Sequence, residues 1–293
     1  MSQVRAAAET TGLLQSEDYL LLRLMVRGLR DFDRVPTSYL AGLASMPSGR
    51  VEYHLSRLER AMLIKGSPNG YKLLSMGLDV LALHSYFEKK LLSKVGPAIA
   101  MGKESDVFEA MGVDERPLVL KLYRLGRISF RDIRRKRGYA SPEDHEWLRA
   151  NIRAAAREAR ALGSLSGRGL PVPKLIASEY HTLLMEMEMG IPLYKVKELD
   201  DAARVLKTIL EALRRCYLEA KLVNGDVSEY NVLITPTHRI VIIDWPQAVS
   251  SSHPNALEYL RRDVQNVVRF FARRHGVDYP KERALRLVTG RAE

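Results

Sequence analysis

Apolar positions in the first third of the chain recur at helical spacing. Short helices are expected over residues 19–29 and 38–43. A further one carries Val51, Leu55, Leu58 and Met62 on one face, at steps of four, three and four. Arg50, Tyr53, Ser56 and Arg57 lie off that stripe. The stretch KGSPNGYKLL then supplies Pro-Asn-Gly turn chemistry between two short apolar runs, and another helix follows Ser75. Helices, a recognition-like helix and a hairpin wing make a winged helix-turn-helix domain, although a plain helical bundle would show the same stripe. Residues 1–16 lack the basic-then-apolar pattern of an export signal and read as a short leader.

Beyond Lys94 the periodicity changes. The β-branched runs at 107–110 and 118–123 suit strands of an antiparallel sheet. An arginine-dense stretch with little periodicity, residues 124–145, reads as a flexible insertion before a helix over 146–165. Two more strands are expected at 174–178 and 182–186. An amphipathic helix over 201–223, with Leu206, Leu210, Leu213 and Tyr217 inward, and a helical stretch over 256–274 complete the chain. The expected fold class is α+β. A winged helix-turn-helix domain (1–93) precedes a two-lobed, protein-kinase-like fold with an N-lobe (94–190) and a C-lobe (191–293).

Composition narrows this little. With 293 residues, 46% of them hydrophobic and 28% charged, the chain is long for one core and suits two compact domains. No run of about 18 apolar residues is present, so no membrane partner is expected and a cytoplasmic location is. The single cysteine, Cys216, stands on a helical apolar pattern as core filler and permits neither a disulfide nor a zinc framework. A net charge of +11 and a pI near 9.7 favour a polyanionic partner. The sequence assigns no oligomeric state.

The chemistry concentrates in two segments, NGDVSEYNVLI and IVIIDWPQAV. Asp226 is followed five residues later by Asn231, and a short strand then ends in Asp244. Magnesium-dependent phosphoryl transfer needs such a set: one carboxylate to orient the hydroxyl or water, and an amide with a second carboxylate to hold the metal against phosphates. In PLVLKLY, Lys121 stands inside an apolar strand, where a charge is costly without a partner. Glu158 is the candidate partner, with Glu146 second. Between the first two strands lies GKESDVF, whose Gly102, Lys103 and Ser105 suit a phosphate-covering loop although it has a single glycine.

These segments resemble the RIO kinases, and within them the branch that carries a winged helix. GKESDVFEA is similar to the family's phosphate loop, LYRLGRISFR…KRGY to its insertion, GDVSEYN to its catalytic loop, and DWPQAVSSSHPNA to its metal loop. The resemblance covers essentially the whole chain and implies ATP with magnesium or manganese. It makes Asp226 the catalytic aspartate and gives Asn231 and Asp244 the metal. Lys121, Ser105, Gly102 and Lys103 go to the phosphates, and Glu158 pairs with the lysine. LLMEMEMG resembles the hinge, so that Met185 backs the adenine pocket and backbone groups of Glu186 and Glu188 bond the base. The resemblance further implies serine autophosphorylation, a phosphoaspartate at Asp244, and ATPase cycling in the maturation of a small ribosomal subunit precursor. Arg50, Tyr53 and Arg57 are the candidates for nucleic acid, with rRNA the expected partner.

The chain departs from the family at Asn224, where many relatives have histidine, and at Ala100 and Met101, where the loop often begins with glycine. Ser228 stands where ordinary kinases carry a lysine, and no A-P-E signature follows Asp244. Two alternatives share parts of the pattern: a winged-helix regulator that only senses a nucleotide, and a small-molecule phosphotransferase.

Overall fold

The computed structural model describes residues 2–126 and 145–290. Most of the expected insertion therefore lies outside the described residues. Two compact units are present: Met1–Ala156 with Ser178–Leu184, and Arg157–Ala177 with Met185–Glu293.

The first unit begins with a correction. The expected leader is a helix, α1 (Gln3–Thr11), which buries Val4 and Ala7 and packs on α5 (Ser75–Glu88). Ser2 caps it by accepting the Arg5 N–H. Helices α2 (Ser16–Gly28), α3 (Thr37–Ala44) and α4 (Ser48–Arg60) pack on one another. On α4, Val51, Leu55 and Leu58 are fully buried as the stripe requires. Met62 is not: it lies past the helix end at φ 55° and is 72% exposed. Strands β1 (Ile64–Ser67) and β2 (Gly70–Leu73) form the antiparallel wing, with Ser67 opposite Gly70. Gly70 at φ 115° makes that turn possible, since a Cβ there would meet the Val35 carbonyl at 2.5 Å.

Strands β3 (Lys94–Met101), β4 (Ser105–Met111) and β5 (Pro117–Tyr123) follow as an antiparallel meander. They continue into β7 (Thr182–Glu186), with β6 (Leu175–Glu179) outermost. The division between the units falls within α6 (His145–Ser166), β6 and β7. β3 escapes the sequence pattern because nearly all of it is exposed and it contains Gly96 and Pro97, as an edge strand tolerates.

In the second unit β8 (Ile191–Pro192) pairs with β10 (Val232–Ile234), which forms a hairpin with β11 (Ile240–Ile242). The short β9 (Leu222–Val223) pairs with β12 (Val249–Ser250). Helix α7 (Ala202–Leu218) packs on α8 (Ala256–His275) and α9 (Lys281–Thr289). Leu206, Leu210 and Leu213 face inward, whereas Tyr217 is half-exposed. Cys216 is buried and its thiol is pushed up to about 12 by burial, as a core filler should be.

Candidate active site

The segment between β9 and β10 has no regular structure, so its backbone groups need side-chain partners. They have them. Gly225, at φ 82°, turns the chain into Asp226. The Asp226 N–H donates to Asn224 Oδ1 at 3.0 Å, and Asn224 Nδ2 donates across to the Asp244 carbonyl at 2.9 Å. Asn231 closes the loop from its far end: its Nδ2 donates to the Asp226 carbonyl at 2.9 Å, and its carbonyl accepts the Ile243 N–H at 2.9 Å. Asp226, Asn231 and Asp244 are thus held on one framework of short bonds. Asn224 is what bridges its two halves.

Three residues of α8 complete the framework. Asp263 is fully buried and accepts the Gly225 N–H at 2.8 Å and the Val227 N–H at 3.0 Å. Arg262 donates to the Gly225 carbonyl, and Asn266 to the Val227 carbonyl at 3.2 Å. Burial pushes the Asp263 carboxyl up to about 7 against the pull of the two N–H donors and Arg262. Asp226 is also raised, by partial burial and then by the neighbouring Asp244 carboxylate, with Arg262 opposing. Sequence reasoning missed Asp263. Its signal was a carboxylate on the buried stripe of Leu260, Val264 and Val267, where a charge stays only if something holds it.

Asp244, two residues past β11, lies in the left-handed region at φ 64°, a conformation Asp tolerates better than most residues and one that collects at functional sites. The next residue, Trp245, is fully buried. Its N–H donates to Glu158 Oε1 at 3.0 Å and its indole N–H to the Ile242 carbonyl at 2.9 Å. Glu158, itself buried in α6, therefore anchors the backbone beside Asp244, a role beyond the lysine partner expected of it.

In the first unit, Gly102, Lys103 and Glu104 join β3 to β4, and the Gly102 N–H donates to the Ser105 carbonyl at 2.8 Å. Lys103 is exposed and Ser105 half-buried. Lys121 lies buried in β5 opposite Val107, its amine 5.1 Å from the centroid of the buried Tyr123 ring. Arg124, expected to open the flexible insertion, is 7% exposed and locked among Asp79, Asp106 and His181.

At the expected hinge, Met185 is buried in β7. The Glu186 N–H donates to the Lys174 carbonyl at 2.9 Å, which withdraws that donor from the expected base contacts, and the Glu188 carbonyl accepts the Gly190 N–H at 2.9 Å. In the winged helix, Arg50 pairs with Glu17, while Arg57 lies 3.4 Å from the buried Asp18 and donates to the Leu13 carbonyl. Tyr53 is 54% exposed, with the Arg57 guanidinium 5.9 Å from its ring centroid.

Among the described residues no three His, Cys, Asp or Glu side chains cluster closely enough to hold a metal. Magnesium keeps waters and is bound through one or two carboxylates together with substrate phosphates. The crowding of Asp226 by Asp244 is the electrostatic condition that a divalent cation relieves. No helix among the described residues is long and apolar enough to cross a membrane.

Known proteins resemble the chain over most of its length. The family model described as the RIO domain matches residues 106–285, and that of the Rio2 N-terminal domain matches residues 12–89. The serine/threonine-protein kinase rio2 of Schizosaccharomyces pombe is 33% identical over 267 residues, covering 89% of this chain and 77% of that protein. The RIO-type kinase Rio2 of Methanocaldococcus jannaschii is 33% identical over 261 residues, covering 87% and 96%. The crystal structure of the Rio2 kinase–ADP/Mg2+–phosphoaspartate complex from Chaetomium thermophilum superposes with a TM-score of 0.82 at 32% identity, covering 97% of this chain and 89% of that one. With a RIO domain behind a Rio2-type N-terminal domain and the kinase-like fold of its structural neighbour, this chain belongs to the RIO family of serine/threonine-protein kinases, on its Rio2 branch.

Proposed function

We propose that the chain binds ATP with magnesium, phosphorylates itself on serine, and turns ATP over through a phosphoaspartate at Asp244 while acting on a small ribosomal subunit precursor. The single observation that carries the reading is the framework that holds Asp226, Asn231 and Asp244 together. Asp226, raised by burial and by Asp244, is suited to accept the proton of an attacking hydroxyl or water. Asn231 and Asp244 would hold the magnesium, which when bound neutralises charge on the β- and γ-phosphates. The resemblance assigns the phosphate contacts to Lys121, Ser105, Gly102 and Lys103. In the ATPase branch an Asp244 oxygen bonds to the γ-phosphorus as the bond to the ADP oxygen breaks, and water then releases phosphate and restores the carboxylate.

The phosphoaspartate named for the Chaetomium complex supports this step by likeness. The ribosomal reading rests on the family resemblance and on the net charge of +11. In the winged helix Arg50 and Arg57 already serve carboxylates of their own domain, which leaves the exposed Tyr53 as the better placed of the three nucleic-acid candidates. The test is to label the full chain from γ-labelled ATP with magnesium and to separate hydroxylamine-labile from acid-stable phosphate. The labile fraction is expected to vanish in Asp244→Asn while the wild type carries both. Label that is wholly acid-stable in the wild type would contradict the phosphoaspartate.

A further inference from the structure

Arg124 lies three residues after Lys121 and serves two elements at once. One edge of its guanidinium takes both oxygens of Asp79 on α5, Nη1 to Oδ1 at 2.7 Å and Nη2 to Oδ2 at 2.8 Å. Its Nε donates to Asp106 Oδ2 at 3.1 Å, and its backbone N–H donates to the Glu104 carbonyl at 2.7 Å. Glu104 and Asp106 are the two neighbours of Ser105. Arg124 therefore grips the chain on both sides of the residue assigned to the phosphates, and is itself gripped by a helix of the N-terminal domain.

The rest of the cluster fixes Asp79. His181 Nε2 lies 2.8 Å from Asp79 Oδ1, and Gln3 Nε2 donates to Asp79 Oδ2 at 2.8 Å. Asp79, Asp106, Arg124 and His181 are all more than nine-tenths buried. A cavity of about 120 Å³ lined by Gln3, Ser75, Leu148, Asn151 and His181 borders Arg124, so ion pairs as well as packing set the direction of the guanidinium. A buried bidentate pair of this kind is a geometric device: it contributes register more reliably than net stability.

We infer that Arg124 is a positioning residue, through which Asp79 of the N-terminal domain sets the phosphate loop and hence the affinity for nucleotide phosphates. The inference rests on reading residues 102–105 as the phosphate loop. Lysine at position 124 keeps the charge but cannot bridge Asp79 and Asp106 in the same plane.

The experiment compares MgATP and adenosine binding by calorimetry in the full-length wild type, Arg124→Lys and Asp79→Asn, with folding followed by circular dichroism. Arg124→Lys is expected to weaken MgATP about tenfold while adenosine, which has no phosphate, stays within about twofold. Asp79→Asn is expected to shift the two ligands in the same unequal way, by less. Unchanged MgATP affinity in folded Arg124→Lys, or equal losses for both ligands, overturns the inference. Should Arg124→Lys not fold, Asp79→Asn decides by the same rule. A wild type that binds adenosine no worse than MgATP would sink the phosphate-loop reading itself, a result separate from any effect of the variants.

Discussion

Asp79 and Asp263 are both fully buried aspartates on helices, one in each unit, and their surroundings drive them in opposite directions. Burial alone would raise both. At Asp79 the Arg124 charge and the His181 hydrogen bond outweigh burial and hold the carboxyl far below the usual range. At Asp263 two backbone N–H groups and the outlying Arg262 do not, and burial pushes it up to about 7. A full charge in bidentate contact offsets desolvation, whereas neutral amides offset part of it. The two units accordingly use buried polarity differently. The first joins side chain to side chain across elements, and the second uses side chains to satisfy the backbone of an irregular loop.

The comparison breaks most sharply at the residue the second framework exists to place. Asp226→Asn is expected to lower single-turnover phosphoryl transfer to serine by about a thousandfold while MgATP affinity changes by less than about threefold, as removal of a proton acceptor should. Next in size, Arg124→Met leaves Asp79 and Asp106 buried without the guanidinium. Urea unfolding of that variant should show a loss of about 3–5 kcal/mol. A loss below about 1 kcal/mol would mean that the cluster is not held by charge.

Asp263 sharpens the contrast through pH. Its folded carboxyl is raised from 3.8 to about 7, so the stability linked to its proton is fully present below about pH 4 and lost as pH rises through about 7. Wild-type urea midpoints should therefore fall from pH 5 to pH 8, and in Asp263→Asn that part of the slope should disappear. An equal slope in both proteins would remove Asp263 from the account. The smallest effect belongs to Arg50→Ala, which breaks an exposed, solvent-screened pair with Glu17 and should barely move the thermal unfolding midpoint.

Much of this was legible in the sequence where periodicity and chemistry coincide. The stripe of Val51, Leu55 and Leu58, the wing after Ile64 and the Asp226-to-Asn231 spacing all rest on local rules, and the elements follow them. What local rules could not give is what long-range pairing decides. α1 looked like a leader because only its packing on α5 gives Val4 and Ala7 a place to be buried. Arg124 looked like the start of a flexible insertion because its partners lie 45 residues upstream and 57 downstream. β3 offered no alternation because both its faces are largely exposed. Asp263 and Glu158 hold the loop through backbone amides, which leave no mark on a sequence except a carboxylate where an apolar residue was due.

The central claim is that the framework around Asp226 performs phosphoryl transfer from MgATP. The most direct measurement is a single turnover of bound ATP by the purified full chain, wild type against Asp226→Asn, with binding measured in the same samples. The account predicts that in the presence of magnesium the wild type passes the γ-phosphate of bound ATP to serine, giving acid-stable label, and that Asp226→Asn binds ATP but gains no acid-stable label. Equal acid-stable label in both proteins, or a wild type that binds ATP and never converts it, would contradict the account.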